Sequence, residues 1–494
     1  MSSIKQQMLS GVFFNAVAKY SGLVISLVVA GILGRLISPD DFGVMTIAMV
    51  IISFFELLSN IGFSAAIIQH KDLTDHDLRS IFSFTLWMAI LLALLFFSAS
   101  GTIAAYYNND SLRPICQMLS IYLFFNCASM VPNTLFYRDK KFKLLAIRTL
   151  SIQLLSGVAA VTAACQGLGL YALLLQFILS GSCLFLLSIY HYPLRPLPTL
   201  GLESIRKVWS YSLFQFLFNV INYFTRNMDK LLIGRFLGMG PLGYYDKSYR
   251  LMMLPVQNIT QVITPVLHPI LSDYQKQHKR LCEAHEKMVH ILALVGFPLS
   301  MLVFFCADEA MLLVFGHQWL DSIPAFRVLS LTIGIQLVLS SSGSFYQSGG
   351  NTKAMFHCAL FAAAVNTVGL LAGIFLFRSL IAIAWCIVLS FVFSFLQCYL
   401  LLYRVVFHQS IRSFFSHFRS PLLLTFWVAL VLWPVSHGCT YLQELSCWPV
   451  TGWLTFLPLL VSLVIKGGVA LVVAAVYLQR SGEYDWVGWI RRRG

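Results

Sequence analysis

Long apolar runs alternate with short polar breaks along the whole chain, and this pattern predicts membrane-spanning helices. A span needs roughly 20 predominantly apolar residues. We expect fourteen spans, numbered here in chain order, with boundaries good to about 3 residues. They begin near Gly11, Phe42, Ile81, Leu112, Leu144, Gly169, Trp209, Tyr244, His285, Pro324, Ala354, Ile381, Pro421 and Leu454. The predicted fold class is therefore an all-α integral membrane protein.

The composition agrees with this pattern. Of the 494 residues, 58% are hydrophobic and only 11% are charged, and the mean hydropathy is +0.77. Soluble domains are close to half apolar and a quarter charged, so this composition excludes an ordinary cytosolic enzyme. No polar stretch is long enough for a separate soluble domain, and we expect the function to be carried out inside the bilayer.

The distribution of positive charge predicts the orientation. The net charge of +14 could indicate nucleic acid, but the basic residues lie at the ends of the predicted spans, next to membrane lipids. Most of the Lys and Arg residues fall in the two tails and in the loops on the same side. By the positive-inside rule both termini are then cytoplasmic, which fits an even number of spans in a multi-pass protein. The first apolar run is too long for a signal peptide and is expected to stay.

An internal repeat is visible at an offset of 200 residues. The segment Ile32-Leu33-Gly34-Arg35-Leu36-Ile37, followed by Phe42-Gly43, matches Leu232-Ile233-Gly234-Arg235-Phe236-Leu237, followed by Leu242-Gly243. An even number of spans in each copy makes the two halves parallel. We therefore predict an N-lobe of spans 1–6 over residues 1–200 and a C-lobe of spans 7–12 over residues 201–410. Residues 411–494 hold spans 13 and 14 and a basic cytoplasmic tail.

Polar residues form stripes on several spans. Span 7 carries six of them at helical spacing, which places them on one face; they are Gln215, Asn219, Asn222, Arg226, Asp229 and Lys230. Span 1 repeats the first four positions as Asn15, Lys19, Gly22 and Ser26. Spans 2, 4 and 5 add Glu56, Asn126, Asn133 and Arg148.

Charges within a span need a reason, because a charge at the bilayer centre costs about 3 kcal/mol or more. One explanation is that side chains near helix ends extend to the interface, which fits Arg35 and Arg235. Another is an ion pair within one helix, such as Arg226 with Asp229. The third is a hydrated cavity between the two halves, lined by spans 1, 2, 7 and 8.

The charges of this predicted lining are mostly positive. Its cations are Lys19, Arg148, Arg226 and Lys230, and its anions are Glu56 and Asp229. Surplus positive charge favours an anionic head group such as a phosphate or pyrophosphate. A pump for cationic drugs is expected to have the opposite balance.

Motifs for catalysis and for cofactors are absent from the sequence. It contains no Walker A sequence, no nucleophile elbow and no HExxH, and the 11 cysteines show no metal-ligand spacing. Cys439 and Cys447 share one loop, where a disulfide and two free thiols both remain open. The longest loop on the outer side is too short for a catalytic domain. We therefore expect a transporter that is not an enzyme and that has no cofactor, no bound metal and no nucleic-acid partner.

Three segments carry a family resemblance. They are the run from Asn227 to Gly238, the run from Leu254 through Pro269 to Gln275, and the N-terminal run from Gly34 to Gly43. These resemble bacterial polysaccharide transporters, the Wzx-type lipid-linked oligosaccharide flippases of the multidrug/oligosaccharidyl-lipid/polysaccharide superfamily. The resemblance spans most of residues 1–410, whereas spans 13 and 14 match only in number and place.

The resemblance implies a fold and a function. Two six-helix lobes would rock around a central cavity in the bacterial cytoplasmic (inner) membrane, exporting a polyprenyl-pyrophosphate-linked oligosaccharide for O-antigen, capsule or exopolysaccharide. Lys19, Arg148 and Arg226 would hold the pyrophosphate, and we group Asn219, Asn222 and Lys230 with them as substrate-binding candidates. An H⁺ or Na⁺ gradient would drive export, with Glu56 and Asp229 as ion-coupling carboxylates.

Two other functions remain open at this point. One is a cation-coupled multidrug exporter of the same superfamily. The other is a membrane glycan polymerase or ligase, although such enzymes usually carry a large exterior loop with Arg and His, which this chain lacks.

Overall fold

The computed structural model describes residues 4–59, 64, 67–68, 73–197, 219–220, 222–272, 278–445 and 456–483. None of these residues lies in a β-strand. Within this part of the chain, 11 helices are long and apolar enough to cross a membrane, or up to 12 if the bent pair His317–Ser330 and Thr332–Ser348 forms one span. The predicted all-α membrane fold is confirmed, whereas the count of fourteen spans is not.

The chain divides into two compact units, Met1–Gly243 and Tyr244–Gly494. The predicted lobes over 1–200 and 201–410, with 411–494 as an addition, stay a prediction. The helices of the first unit are α1 (Ile4–Leu36), α2 (Pro39–Ser59), α3 (Asp75–Tyr107), α4 (Leu112–Ala128), α5 (Met130–Arg138), α6 (Phe142–Cys165), α7 (Leu170–His191), α8 (219–236, with 221 not described) and the first turn of α9 (Met239–Ser272).

Helix starts in the first unit follow from local capping. Ser38 precedes α2, and its Oγ accepts a hydrogen bond from the backbone N–H of Asp41 at 3.2 Å. Thr74 and Asp77 form a capping box at the start of α3, which satisfies two backbone donors. Helix α1 packs on α6, α3 and α7 pack on α4, and α6 packs on α7. This arrangement brings α2 and α4 together as well.

Among the described residues, the second unit continues α9 and adds nine further α-helices. They are α10 (His278–Phe305), α11 (Ala307–Phe315), α12 (Ile323–Ser330), α13 (Thr332–Ser348), α14 (Thr352–Ala372), α15 (Leu380–Leu401), α16 (Arg412–Ser416), α17 (Arg419–Leu445) and α18 (Leu457–Ser481). Helix α9 is long enough to span a membrane, but its polar residues Gln257, Asn258 and Gln261 make it less apolar than the helices counted above.

The core of the second unit lies around α10. Helices α13 and α17 pack on it, α14 pairs with α15, and α17 pairs with α18. His285 is fully buried among aromatic rings, including Phe345, Tyr399 and Phe414. The last two helices pack on α10 through a separate apolar cluster built on Leu424, Val428, Leu432 and Ala470. Spans 13 and 14 are thus part of this unit's packing.

The two copies of the sequence repeat adopt the same backbone conformation. The N–H of Ile37 donates to the carbonyl of Leu33 at 2.9 Å, and in the second copy Leu237 donates to Ile233 at 2.8 Å. Phe42 donates to Ser38 at 3.2 Å, and 200 residues later Leu242 donates to Gly238 at 3.3 Å. Each copy ends one helix and begins the next, as the sequence predicts.

Candidate substrate and coupling residues

Helix α8 carries the polar stripe predicted for span 7. Within the described residues the stripe comprises Asn219, Asn222, Arg226, Asp229 and Lys230, whereas Gln215 lies outside them. Asp229 is 8% exposed, and one of its carboxylate oxygens accepts the backbone N–H of Lys230 at 2.8 Å. The asparagines and Lys230 are half-buried. The face therefore changes from accessible at Arg226 to buried at Asp229 within one turn.

Arg226 is exposed, and it forms no ion pair with any residue of the described ranges. The open alternative of an Arg226–Asp229 pair is therefore not what this structure contains. An accessible guanidinium that no carboxylate neutralises keeps its charge and its five donors for an anion.

Lys19 lies on α1, where it is half-buried and its Nζ is 5.5 Å from the centre of the Tyr20 ring. Gly22, one turn later on the same stripe, packs against α6, because Gln153 donates its side-chain amide to the Gly22 carbonyl at 2.8 Å. The stripe of span 1 thus contacts protein at Gly22. Asn15 has no described side chain.

Glu56 lies in a polar contact between α2 and α4. The side-chain amide of Asn126 donates to Glu56 Oε1 at 2.5 Å, and the phenol of Tyr122 interacts with the same carboxyl group. Glu56 forms no salt bridge with the residues that the structure describes. A partly buried carboxyl held by neutral donors is suited to bind a proton or to respond to a nearby cation.

Arg148 lies in a separate cluster inside the first unit and is 5% exposed. Its guanidinium donates to Ser188 Oγ at 2.7 Å and to Asn133 Oδ1 at 2.5 Å, and it lies 4.4 Å from the centre of the Phe136 ring. These partners come from α5 and α7, so Arg148 joins three helices. Its Nε is buried without a hydrogen-bond partner.

The structure therefore places all eight predicted site residues in the first unit. Glu56 and Arg148 belong to two separate groups of hydrogen-bonded side chains there. Sequence reasoning missed a buried pair in the other unit. Lys466 of α18 contacts Glu309 of α11, and both are almost fully buried. The sequence could have indicated this pair, because Lys466 lies within an apolar run, where a charged side chain needs a partner.

Metal binding and disulfide formation give no further site in the described part of the chain. No group of three or more His, Cys, Asp or Glu residues there could hold a metal ion. The prediction that Cys439 lies in a loop is wrong, because Cys439 is buried within α17. Cys447 lies outside the described residues, so the pairing of the two cysteines stays open.

Comparison with protein families gives the identity at family level. The family described as polysaccharide biosynthesis protein matches residues 32–324, more than half of the chain. The chain belongs to this polysaccharide biosynthesis family. The match includes both copies of the repeat and all the predicted site residues except Lys19.

Relatives of this polysaccharide biosynthesis protein cover most of its length. The teichuronic acid biosynthesis protein TuaB of Bacillus subtilis is 26% identical over 88% of this chain and 90% of its own. The lipopolysaccharide biosynthesis protein WzxC of Escherichia coli is 24% identical over 75% of this chain and 77% of its own. The succinoglycan biosynthesis transport protein ExoT of Rhizobium meliloti is 23% identical over 72% of both chains.

The fold of this family member is that of membrane transporters. The lipid II flippase MurJ, in an inward closed conformation, superposes with a TM-score of 0.72 over 95% of this chain and 99% of its own, at 14% identity. An inward-facing multidrug transporter of the MATE family gives 0.53 over 77% of this chain and 93% of its own, also at 14% identity. The predictions of a multi-pass membrane transporter and of a protein that is not an enzyme are confirmed.

Proposed function

We propose that this protein is a flippase that moves a polyprenyl-pyrophosphate-linked oligosaccharide across the bacterial cytoplasmic membrane for surface polysaccharide assembly. Its relatives are named for teichuronic acid, lipopolysaccharide and succinoglycan biosynthesis, and the last of them is named a transport protein. The alternating-access mechanism of related folds supplies a route for a large head group without hydrolysis of nucleotide.

The observation that carries the proposal is Arg226, an exposed arginine in an apolar chain that forms no ion pair with a described residue. A diphosphate presents oxygens that a guanidinium can bind in bidentate fashion. Lys19 adds a second cation, and Asn219, Asn222 and Lys230 add donors on the same face as Arg226. Arg148 donates to Asn133 and Ser188, so the proposal assigns first contact with the pyrophosphate to Arg226 and Lys19.

Orientation and energy source complete the proposal. The positive-inside distribution supports a cytoplasmic position for both termini, as in a chain with an even number of spans. Export is driven by an H⁺ or Na⁺ gradient, with Glu56 and Asp229 as the carboxyl groups that change their charge or bind the ion. The net positive lining argues against the multidrug function of the MATE neighbour, because cationic drugs need an anionic site.

The test uses a strain that lacks the gene and is complemented with variants of the full chain. Arg226→Ala and Lys19→Ala are expected to reduce surface polysaccharide strongly and to leave lipid-linked oligosaccharide in the cytoplasmic leaflet, while Arg226→Lys retains part of the export. Surface glycan is measured by immunoblot, and the lipid-linked pool by extraction and mass spectrometry.

Arg79→Ala is the matched control, because Arg79 is also exposed but lies at a helix end, where we expect no substrate contact. Normal glycan display by folded Arg226→Ala and Lys19→Ala would refute the assigned sites. A drug-susceptibility panel separates the multidrug alternative: altered resistance to several unrelated cations, with unchanged glycan, would replace the flippase proposal.

A further inference from the structure

The two copies of the repeat touch each other through glycine. A Cβ added to Gly43 on α2 would lie 1.9 Å from the backbone carbonyl oxygen of Met239. A Cβ added to Gly243 on α9 would lie 2.1 Å from the backbone carbonyl oxygen of Pro39. Side-chain carbon atoms do not approach carbonyl oxygens this closely, so both positions require glycine for the backbones to meet.

This contact is reciprocal. Gly43 and Gly243 are 200 residues apart, and so are Pro39 and Met239. Gly43 of the first copy packs on the Met239 carbonyl of the second copy, and Gly243 of the second copy packs on the Pro39 carbonyl of the first. Such a pairing is what a two-fold relation between the copies produces. We name residues 39–43 together with residues 239–243 the glycine closure.

Other residues near the glycine closure also contact each other across the two copies, through non-covalent interactions. The Asp40 carboxylate lies beside Gly240 in the first turn of α9, where the positive end of the helix dipole favours it. Ile47 lies against Gly234, and the Tyr223 hydroxyl donates to the carbonyl of Val50. No salt bridge joins these segments within the described residues. Small residues let helix backbones approach closely, and none of the described salt bridges has to break for these segments to separate.

We propose that the glycine closure is the outer gate of the transport path, shut in this structure and parted each time cargo leaves. This inference rests on the proposed function for its orientation, since cytoplasmic termini put the end of α1 and the start of α2 at the outer face. With the carbonyls in contact with the glycine backbones, no head group passes between the starts of α2 and α9. Gly43 and Gly243 are therefore positioning residues of the transport cycle.

The test measures access from outside. Ser53 of α2 lies ten residues inward from Gly43 on the same helix and is half-buried. Ser53→Cys is introduced into a full chain whose 11 cysteines are replaced by serine or alanine, and intact cells are labelled with a membrane-impermeant maleimide. Gly43→Ala and Gly243→Ala are added singly. The matched control is Gly101→Ala on α3, where an added Cβ has no atom within 4 Å.

We expect labelling at position 53 to rise severalfold in Gly43→Ala and Gly243→Ala and to stay at the basal level in Gly101→Ala. Unchanged labelling in folded Gly43→Ala and Gly243→Ala would overturn the inference. The labelling experiment needs no transported substrate, so it tests the gate independently of the proposed function. If loss of the gene left surface glycan normal, that result would refute only the proposed function.

A second variant covers the case in which the alanine variants do not fold. Asp40→Cys with Gly240→Cys places two thiols across the glycine closure, and a disulfide between them would hold it shut. Glycan export is expected to stop on oxidation and to return with a reductant. Continued export with the disulfide fully formed would overturn the inference.

Discussion

Lys466 and Glu309 form a buried salt bridge, with 2.6 Å between Lys466 Nζ and Glu309 Oε1 and side chains only 2% and 5% exposed. The ammonium also donates to the carbonyl of Phe305 at 2.8 Å, and Ser462 donates to the same carboxylate oxygen at 2.6 Å. The pair connects α18 to α11 within the second unit. It explains how a lysine can interrupt the last apolar run of the chain.

Removing one partner of this pair should destabilise the protein. Lys466→Met leaves the Glu309 carboxylate buried without its cation, a change that typically costs about 3–5 kcal/mol. Lys466→Met combined with Glu309→Gln removes both charges and is expected to recover most of the loss. Thermal unfolding of the purified protein in detergent measures both. Lys279→Met, at an exposed lysine, is the control, and a single Lys466→Met variant that melts like the parent would contradict the prediction.

We expect Arg148 to stabilise the fold rather than to contact the transported substrate directly. Arg148→Ala removes hydrogen bonds to Asn133 and Ser188, and bonds from a charged group contribute about 1.5–3 kcal/mol each. The melting temperature in detergent should fall clearly, whereas Ile147→Ala at the exposed neighbouring position should change it little. If Arg148→Ala kept full thermal stability but lost export, Arg148 would instead be a direct ligand of the substrate.

Glu56 should be needed for coupling rather than for folding. Glu56→Gln keeps the side-chain size and can still accept the hydrogen bond from Asn126, so we expect normal yield and thermal stability. Its transport should no longer respond to an imposed ion gradient, because the amide does not titrate. Proteoliposomes that contain lipid-linked oligosaccharide provide the measurement, and Asp110→Asn, an exposed loop carboxylate, is the control. Gradient-driven transport by Glu56→Gln would exclude this carboxyl group.

Two glycines of α13 should differ sharply in their tolerance of alanine. A Cβ on Gly334 would lie 2.8 Å from the Phe297 ring and 3.0 Å from its Cα, whereas a Cβ on Gly343 would have no atom within 4 Å. Gly334→Ala is therefore expected to destabilise the second unit by about 1–3 kcal/mol through overpacking. Gly343→Ala should be neutral or stabilising, because alanine favours helix. Equal melting temperatures for the two variants would argue against this packing of α10 on α13.

Sequence periodicity located the helices well but not their first turns. Span 9 was predicted to begin near His285, whereas α10 begins at His278, because its charged first turns resemble a loop when judged by hydropathy alone. Span 3 likewise begins at Asp75, six residues before the predicted Ile81, since the Thr74 cap starts the helix in a polar segment. The repeat motif located the junction between two helices in each copy, although the predicted starts at Phe42 and Tyr244 lie three and five residues after the observed starts at Pro39 and Met239.

The sequence pattern did not predict which side chains contact each other between different helices. The stripe on span 7 predicted which residues share a face, but spacing along one helix does not tell which helix lies opposite. Glu56 finds Asn126 across 70 residues of sequence, and Lys466 finds Glu309 across 157. Only the fold brings such residues together. The polar residues could therefore be identified from the sequence, whereas the structure was needed to show which of them contact each other.

The glycine contact joins positions that are equivalent in the two copies, as a two-fold axis joins equivalent residues in a homodimer. The cations do not follow this symmetry, because Lys19 corresponds to Asn219 and Ser26 to Arg226. A symmetric backbone frame thus carries two different sets of polar side chains.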